Sequence, residues 1–369
     1  MSVDDNCHVL HIASGDLWAG AEVQLATLAI TTHRLQRSRV SVILLNHGRL
    51  EQELLASGID VTVLDESSLS AFAILRRMTD VLRDKDIDIV HTHRMKENIL
   101  GSLACLVAGR LPSLRTVHGA SEHSAPWYRP RGMLMKLDRF IGRHLQRAVI
   151  AVTLELADKL DGDFPSSKLR VIHNGIDTRI ADDIENTDDE HIHVGIVGRL
   201  TPVKRVDLFL QTATILSGDE RYRFHVYGDG PLLPELTALK DSLGLGDRVS
   251  FHGHSDDIHQ AIAALHVLMM PSDHEGLPMT LLEAMCLGTV VVAHQVDGLP
   301  QVLDHGRCGS LVAGQIPDAY AEAVRQLVKD DTMRASMIES ARERVASEYS
   351  AEANAEAIHL LYQDILSRR

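Results

Sequence analysis

The stretch Pro271-Ser-Asp-His-Glu275-Gly-Leu-Pro278-Met-Thr-Leu-Leu-Glu283-Ala-Met-Cys-Leu-Gly288 follows the apolar run Val-Leu-Met-Met at 267–270. A short apolar run closed by Pro and Ser predicts a buried strand, and the apolar spacing over 277–287 predicts a helix. Pro278 suits the first turn of that helix, where its missing N–H has no partner to lose. Glu275 then lies in the strand-to-helix loop beside Gly276, Leu277 and the unpaired amides of the helix tip, and Glu283 falls about two turns in. Helix N-termini attract anions, and carboxylates beside them accept hydrogen bonds from hydroxyl groups. Taken alone, the same two glutamates read equally well as a helix cap and a solvated face residue.

Working outward, the strand–loop–helix unit recurs along the chain. Strands are expected at 8–13, 40–45, 60–64, 88–92, 115–118, 148–152 and 169–173, with helices at 21–33, 71–85 and 96–108 between them. This alternation implies a mainly parallel sheet covered on both faces. The acidic, polar stretch 181–190 interrupts it and reads as a linker. Strands then resume at 193–197, 224–227, 249–252, 267–270 and 290–293, with helices at 206–216, 232–243 and 277–287, and a last helix at 351–366. The fold class is therefore α/β, with two Rossmann-like, doubly wound domains expected to face a central cleft. The expected boundaries are an N-terminal acceptor-binding domain 1–180, a linker 181–191, a C-terminal nucleotide-binding domain 192–348, and a helix 349–369 returning to the N-terminal domain.

Composition narrows the function. The 369 residues carry 37 Lys+Arg against 51 Asp+Glu, a formal charge of −14 that repels nucleic-acid backbones, so an anionic ligand must be held locally. No apolar run approaches the roughly 18–20 residues of a membrane span, and the first residues lack a cationic secretory n-region. A cytoplasmic protein is expected. Cys7, Cys105, Cys286 and Cys308 are widely spaced, which predicts reduced thiols and no zinc knuckle.

Three further segments bear on the site. Gly198-Arg199-Leu-Thr-Pro-Val-Lys204 places two cations between the first strand of the second half and the next helix, where a diphosphate can be neutralised bidentately by Arg and by a movable Lys charge. As isolated residues they read as surface charge. Tyr227-Gly228-Asp-Gly-Pro231 is a tight turn. Ser14-Gly-Asp-Leu-Trp-Ala-Gly20-Ala-Glu22 is a glycine-punctuated loop that departs from the dinucleotide fingerprint.

In order along the chain, Gly20-Ala-Glu22, His118-Gly119, Asn174-Gly-Ile-Asp177, Gly198-Arg-Leu…Lys204, Gly228-Asp-Gly-Pro231 and Glu275-Gly-Leu-Pro278…Glu283…Gly288 resemble the retaining GT-B glycosyltransferases of family 4, of the type that builds bacterial envelope and exopolysaccharides. The resemblance implies that Arg199 and Lys204 hold the diphosphate of a nucleotide-sugar and stabilise it as it leaves. It implies that Gly20, Gly228 and the Glu275-Gly276-Leu277-Pro278 loop line the donor site, that Glu275 meets the transferred sugar and Glu283 the ribose, and that His118 stands beside the reacting centre. As a lone strand-end residue, His118 reads as structural. A glycan or lipid-linked acceptor, front-side attack with retention, and no cofactor or essential metal are implied. Arg205 and Gln301 depart from the family pattern, which has Gly and Glu there.

Other readings remain open at this stage. His91-Thr-His93 shares one strand face but shows no third metal ligand. The pairs Asp84/Asp86 and Asp86/Asp88 read as a polar turn. Residues 127–147 carry Leu134, Leu137, Ile141 and Leu145 at helical spacing with Lys136, Arg139, Arg143 and Arg147 on other faces, which suits either a core helix or a peripheral contact with anionic membrane. Rival functions are a GT-B-like sugar-nucleotide epimerase and a two-domain sugar-binding protein.

Overall fold

A computed structural model describes residues 7–16, 18, 20–119, 130–182, 184, 190–255 and 257–368. The chain divides into two compact units, residues 1–177 with 349–369, and residues 178–348. Most of the acidic stretch 181–190, and residues 127–129, lie outside the described residues.

The first unit holds seven parallel strands, β1 (His8–Ala13), β2 (Arg39–Leu44), β3 (Asp60–Val63), β4 (Ile89–Thr92), β5 (Ser113–Val117), β6 (Ala148–Ala151) and β7 (Leu169–Val171), in the order β3-β2-β1-β4-β5-β6-β7. Its helices are α1 (Gly20–Arg34), α2 (Arg49–Ala56), α3 (Ala71–Asp84), α4 (Met95–Val107), α5 (Pro130–His144), α6 (Leu154–Leu160) and, from the end of the chain, α14 (Ala351–Ser367). The central strands are buried on both faces, which is why they read as continuous β-branched runs. Two helices start at Ser caps: Ser70 accepts from the Ala73 amide and Ser350 from the Ala353 amide, each filling an orphan donor. Helix α14 packs on α1, where Gln24 donates to Asn354 at 3.0 Å.

The second unit holds β8 (Ile192–Val197), β9 (Tyr222–Tyr227), β10 (Val249–Gly253), β11 (Val267–Met270), β12 (Val290–His294) and β13 (Ser310–Val312), all parallel, in the order β10-β9-β8-β11-β12-β13. The helices are α7 (Val206–Leu216), α8 (Leu233–Ser242), α9 (Ile258–Ala263), α10 (Met279–Leu287), α11 (Leu299–Val302), α12 (Pro317–Lys329) and α13 (Asp331–Glu348). Its core sits between the sheet and α7, α8 and α12, around Phe209, Phe224 and Tyr320. In both sheets the order reverses beside the first strand, β1/β4 and β8/β11. Ligands of doubly wound sheets bind outside the carboxyl ends of strands at such a switch point.

Several expectations shift by a turn or less. Pro278 is the residue before α10, with extended ψ of 128°, rather than its first-turn residue. The helix ends at Gly288, whose φ of +87° and tight approach to the Arg342 guanidinium leave no room for a side chain. Lys204 ends a 3-10 turn, Pro202–Lys204, ahead of α7. Residues Thr178–Ala181 form a 3-10 turn that packs against α10. On α5 the expected apolar face is split, Ile141 being buried and Leu134 and Leu137 exposed. Met135, Asp138 and Ile141 face inward, while Met133, Leu134, Leu137 and Phe140 are between 42% and 68% exposed.

Candidate active site

At the switch point of the second unit, the loop after β8 meets the loop after β11. Lys204 Nζ lies 2.6 Å from Glu275 Oε1, with the Glu275 side chain 8% exposed and that of Lys204 23%. The two loops are also tied by backbone, Asp273 N–H donating to the Val203 carbonyl at 2.8 Å. Asp297, on the loop after β12, accepts from the Glu275 amide at 2.8 Å and so fixes where the carboxylate starts.

The loops after β8, β9 and β10 are joined in the same way. Gly198 N–H donates to the Tyr227 carbonyl, Leu200 N–H to Asp229, and Gly228 N–H to Gly253. Gly228 has φ of +122°, and a Cβ there would run into the Gly198 carbonyl, so only glycine allows this contact. Arg199 is exposed at the same loop and has no side-chain partner among the described residues. The loop therefore presents one guanidinium to solvent and one ammonium against a carboxylate.

Arg205, where the family pattern has glycine, has φ of +52° and ψ of 45°. That left-handed conformation is the physical reason a glycine fits there. Here an arginine holds it by forking onto Asp207 at 3.0 Å, Asp273 at 3.4 Å and Gln315. Gln315 in turn donates to Asp273 at 2.7 Å. Arg205 thus braces the loops after β8, β11 and β13 and points its charge at carboxylates. The sequence carried no sign of Asp273, Asp297 or Gln315 as loop supports.

Glu283 is buried in α10 and faces His259 of α9, Oε1 lying 3.8 Å from Nε2. The nearby Glu283 carboxylate raises the His259 pKa. Glu283 is thus not joined to the Lys204–Glu275 pair. Gly276, Leu277 and Pro278 complete the loop, with Leu277 buried.

In the first unit, His118 follows β5, and Gly20 opens α1 with open space where a Cβ would be. Glu22, two residues on and buried, pairs with Arg94 after β4. His118 Nε2 lies 3.3 Å from His93 Nδ1, and His93 Nε2 lies 3.0 Å from His11 Nδ1. The rings of His93 and His118 are stacked, as are those of His11 and His93. Burial lowers the His118 pKa to about 4, with Arg94's charge acting the same way, and burial lowers that of His11 to about 3. These rings are neutral at pH 7. Each neutral imidazole carries one N–H, so the chain of hydrogen bonds has only two consistent proton arrangements. His118 Nδ1, at the end of the chain, is buried with no partner among the described residues.

The third histidine beside His91 and His93 is His11, set opposite His91 by the parallel register of β1 and β4. One ligand nitrogen from each lies within 4.8 Å of the others. Sequence reading missed it because His11 lies some 80 residues earlier. Both nitrogens of His91 are already engaged, Nδ1 with the Tyr362 hydroxyl at 2.7 Å and Nε2 with Thr116 at 2.8 Å. The group is satisfied as a hydrogen-bonded stack. Asp84 ends α3, and Asp86 and Asp88 lie between it and β4, at the opposite strand ends from these loops, and Asp88 accepts from the His8 amide.

Comparison with known proteins bears on this arrangement. The family model "Glycosyltransferase Family 4" matches residues 18–180 and "Glycosyl transferases group 1" matches 177–344. N-acetyl-alpha-D-glucosaminyl L-malate synthase of Bacillus anthracis is 27% identical over 306 residues, 80% of this chain and 79% of that protein. The UDP-Gal:alpha-D-GlcNAc-diphosphoundecaprenol alpha-1,3-galactosyltransferase of Escherichia coli is 26% identical over 304 residues, 78% of each chain. The crystal structure of Anabaena Alr3699/HepE in complex with UDP superposes with a TM-score of 0.83 over 97% of this chain and all of that one, at 20% identity. The epimerase alternative finds no support among these relatives. The fold is GT-B, and the chain belongs to the family 4 glycosyltransferases.

Proposed function

We propose that this glycosyltransferase moves a sugar from a nucleotide-diphosphate donor to a hydroxyl of a glycan or lipid-linked acceptor in envelope or exopolysaccharide synthesis, with retention and without an essential metal. The observation that supports the reading is the Lys204–Glu275 contact at the switch point, a cation of the kind a diphosphate needs beside a carboxylate able to accept from sugar hydroxyls. The Bacillus and Escherichia relatives, named for glycosyl transfer to malate and to a diphosphoundecaprenol-linked sugar, support the acceptor class.

In this scheme Arg199 and Lys204 take the diphosphate oxygens and offset the charge that grows as the C1–O bond to phosphate breaks. The acceptor oxygen bonds C1 on the face the diphosphate leaves, and its proton passes to a departing phosphate oxygen. Glu275 leaves its contact with Lys204 to accept from sugar hydroxyls, and Glu283 takes the ribose hydroxyls. His118 is the first unit's group for sugar or acceptor. With two side-chain cations at the diphosphate, no metal is required in this scheme.

A peripheral membrane contact through α5 extends the reading. It rests on four exposed apolar side chains, Met133, Leu134, Leu137 and Phe140, beside the exposed cations Lys136 and Arg143. Among the described residues no helix is long and apolar enough to cross a membrane.

The test is transfer from a panel of nucleotide-sugars with EDTA present, reading the anomeric configuration of the product by NMR. Retained configuration at an undiminished rate supports the proposal. Inversion overturns the mechanism, and loss of activity restored by added divalent metal overturns metal independence. For α5, Leu137→Glu with Phe140→Glu is expected to abolish sedimentation with anionic vesicles, and unchanged sedimentation removes the membrane contact.

A further inference from the structure

A hollow of about 560 Å³ opens where β5, β6 and β7 begin, at the opposite edge of the first sheet from His93 and His118. It is independent of the switch-point loops and of the transfer reading. Five cations line it, Arg110, Arg147, Lys168, Arg170 and Arg368, against one carboxylate, Asp364. That carboxylate is already paired with Arg368 at 2.7 Å. In a chain of net charge −14, so strong a local excess of positive charge needs a cause.

One cause is the fold itself. Helices α4, α5 and α14 all end near this hollow, and their carbonyl ends favour cations. Lys168 serves in this way, donating from Nζ to the Arg143 and Gln146 carbonyls at 2.7 and 2.6 Å. Arg170 donates to the Ser167 and Leu169 carbonyls. Helix ends carry about half a charge each, so three of them offset only a part of the excess. Arg110 and Arg147 have no partner among the described residues, and both are exposed. Arg110 is held in place by its backbone, at φ of +64° with its amide bonded to the Cys105 carbonyl. Burial and the nearby Arg147 charge both lower the Lys168 pKa, so the cations crowd one another.

The shape suits a small molecule. The volume lies within the range of about 300–1,000 Å³ typical of ligand pockets. Leu111, Leu361 and Ile365 supply an apolar wall. A monovalent ion would leave most of the positive charge uncompensated, and guanidinium groups match phosphate oxygens bidentately.

We propose that this hollow is a second ligand site, for a small organic phosphate bearing two or more negative charges, with Arg110 and Arg147 as its free donors and Lys168 behind them. The ligand's body lies on the Leu111–Ile365 wall. The site is separate from the one assigned to the donor diphosphate, and the experiment must silence the latter first.

The test is a calorimetric titration of the full chain with inorganic pyrophosphate at low salt, in an Arg199→Ala/Lys204→Ala background. The expected result is retained 1:1 binding that weakens at least about tenfold when Arg110→Ser and Arg147→Ser are added. Absence of binding in the background variant, or affinity unchanged by the two serines, overturns the proposal. A second readout needs no variant: the Lys168 side-chain NMR signal of the wild-type chain should move on addition of pyrophosphate, and a fixed signal at saturation would also overturn it.

Discussion

Lys204 Nζ and Glu275 Oε1, 71 residues apart in sequence, lie 2.6 Å apart where the loops after β8 and β11 meet. The pair is half-shielded and opposite in charge, so each side chain holds the other in place until a ligand offers each something better. In the proposed scheme, an arriving diphosphate competes for Lys204, and its sugar hydroxyls compete for Glu275. The contact is thus a resting arrangement that the donor would exchange.

This exchange gives the two residues different signatures. Lys204→Ala removes a charge-assisted contact to the leaving group and should cost about 2–3 kcal/mol of transition-state stabilisation, roughly a 30–150-fold loss in kcat/KM. Glu275→Gln should lower kcat while leaving nucleoside-diphosphate affinity equal or higher, because Lys204 loses its competitor. Steady-state kinetics with parallel binding titrations check both. Equal loss of nucleotide affinity in the two variants would contradict the exchange.

The histidine chain predicts a positioning role for His93. His93→Phe keeps the stacked ring and removes the hydrogen bonds on both sides. We expect kcat to fall about tenfold, since His118's hydrogen bond to sugar or acceptor depends on which of its ring nitrogens carries the proton. The ring-nitrogen NMR shifts of His118 should move in the variant. If they stay where they are in the wild type, His93 does not set the His118 proton.

In the first unit, Arg115 of β5 and Asp138 of α5 are fully buried and joined at 2.7 Å, with Asp138 also accepting from Asn98 at 3.1 Å and Arg115 also donating to Gln146. Removing one partner strands a buried charge, so Asp138→Leu alone should destabilise the fold by about 3–5 kcal/mol. Arg115→Met with Asp138→Leu should cost much less than the single change, because no charge is left unpaired. Urea unfolding curves of the two variants make the comparison.

Acid should weaken the protein through the same histidines. His11 has a folded-state pKa of about 3 against 6.5 unfolded, and burial lowers His91 and His93 as well. Below pH 6.5 the unfolded chain takes up protons that the folded chain refuses, so stability falls as pH falls, for His11 by roughly 1.5–2 kcal/mol between pH 6.5 and 5, with His91 and His93 acting in the same direction. In the second unit, burial and its histidine neighbours hold His225 at about 4, which adds in the same direction. Glu97 opposes them: burial raises its pKa to about 7, so the folded chain binds its proton more tightly and gains on acidification. His259, its pKa raised beside Glu283, opposes them too, but the lowered rings outnumber these two groups, so the melting temperature should drop steadily from pH 6.5 to 4.5. A flat profile would show that the rings are charged in the fold.

Much of this arrangement was readable in the residue order. Parallel strands buried on both faces leave β-branched runs, and the loops after β8 and β11 announced themselves through Gly198, Lys204 and Glu275. What stayed hidden depends on register and packing. His11 became a neighbour of His91 only through strand pairing. The inward face of α5 is built on Met135 and Asp138, because a buried arginine on β5 needed a carboxylate more than a leucine. Strand β13 is three residues long, and α13 is polar on most sides, so neither has a clear period. Arg205, a departure from the family pattern in the sequence, is a brace in a left-handed turn.

In the proposed scheme, the second unit grips a diphosphate at the switch point through Lys204. The most direct measurement is the dissociation constant of the nucleoside diphosphate that best stabilises the wild-type chain, compared by calorimetry between wild type and Lys204→Ala. At least about a tenfold weakening is predicted, the equivalent of one charge-assisted contact. Equal affinity in the two proteins would place the diphosphate elsewhere and contradict the account.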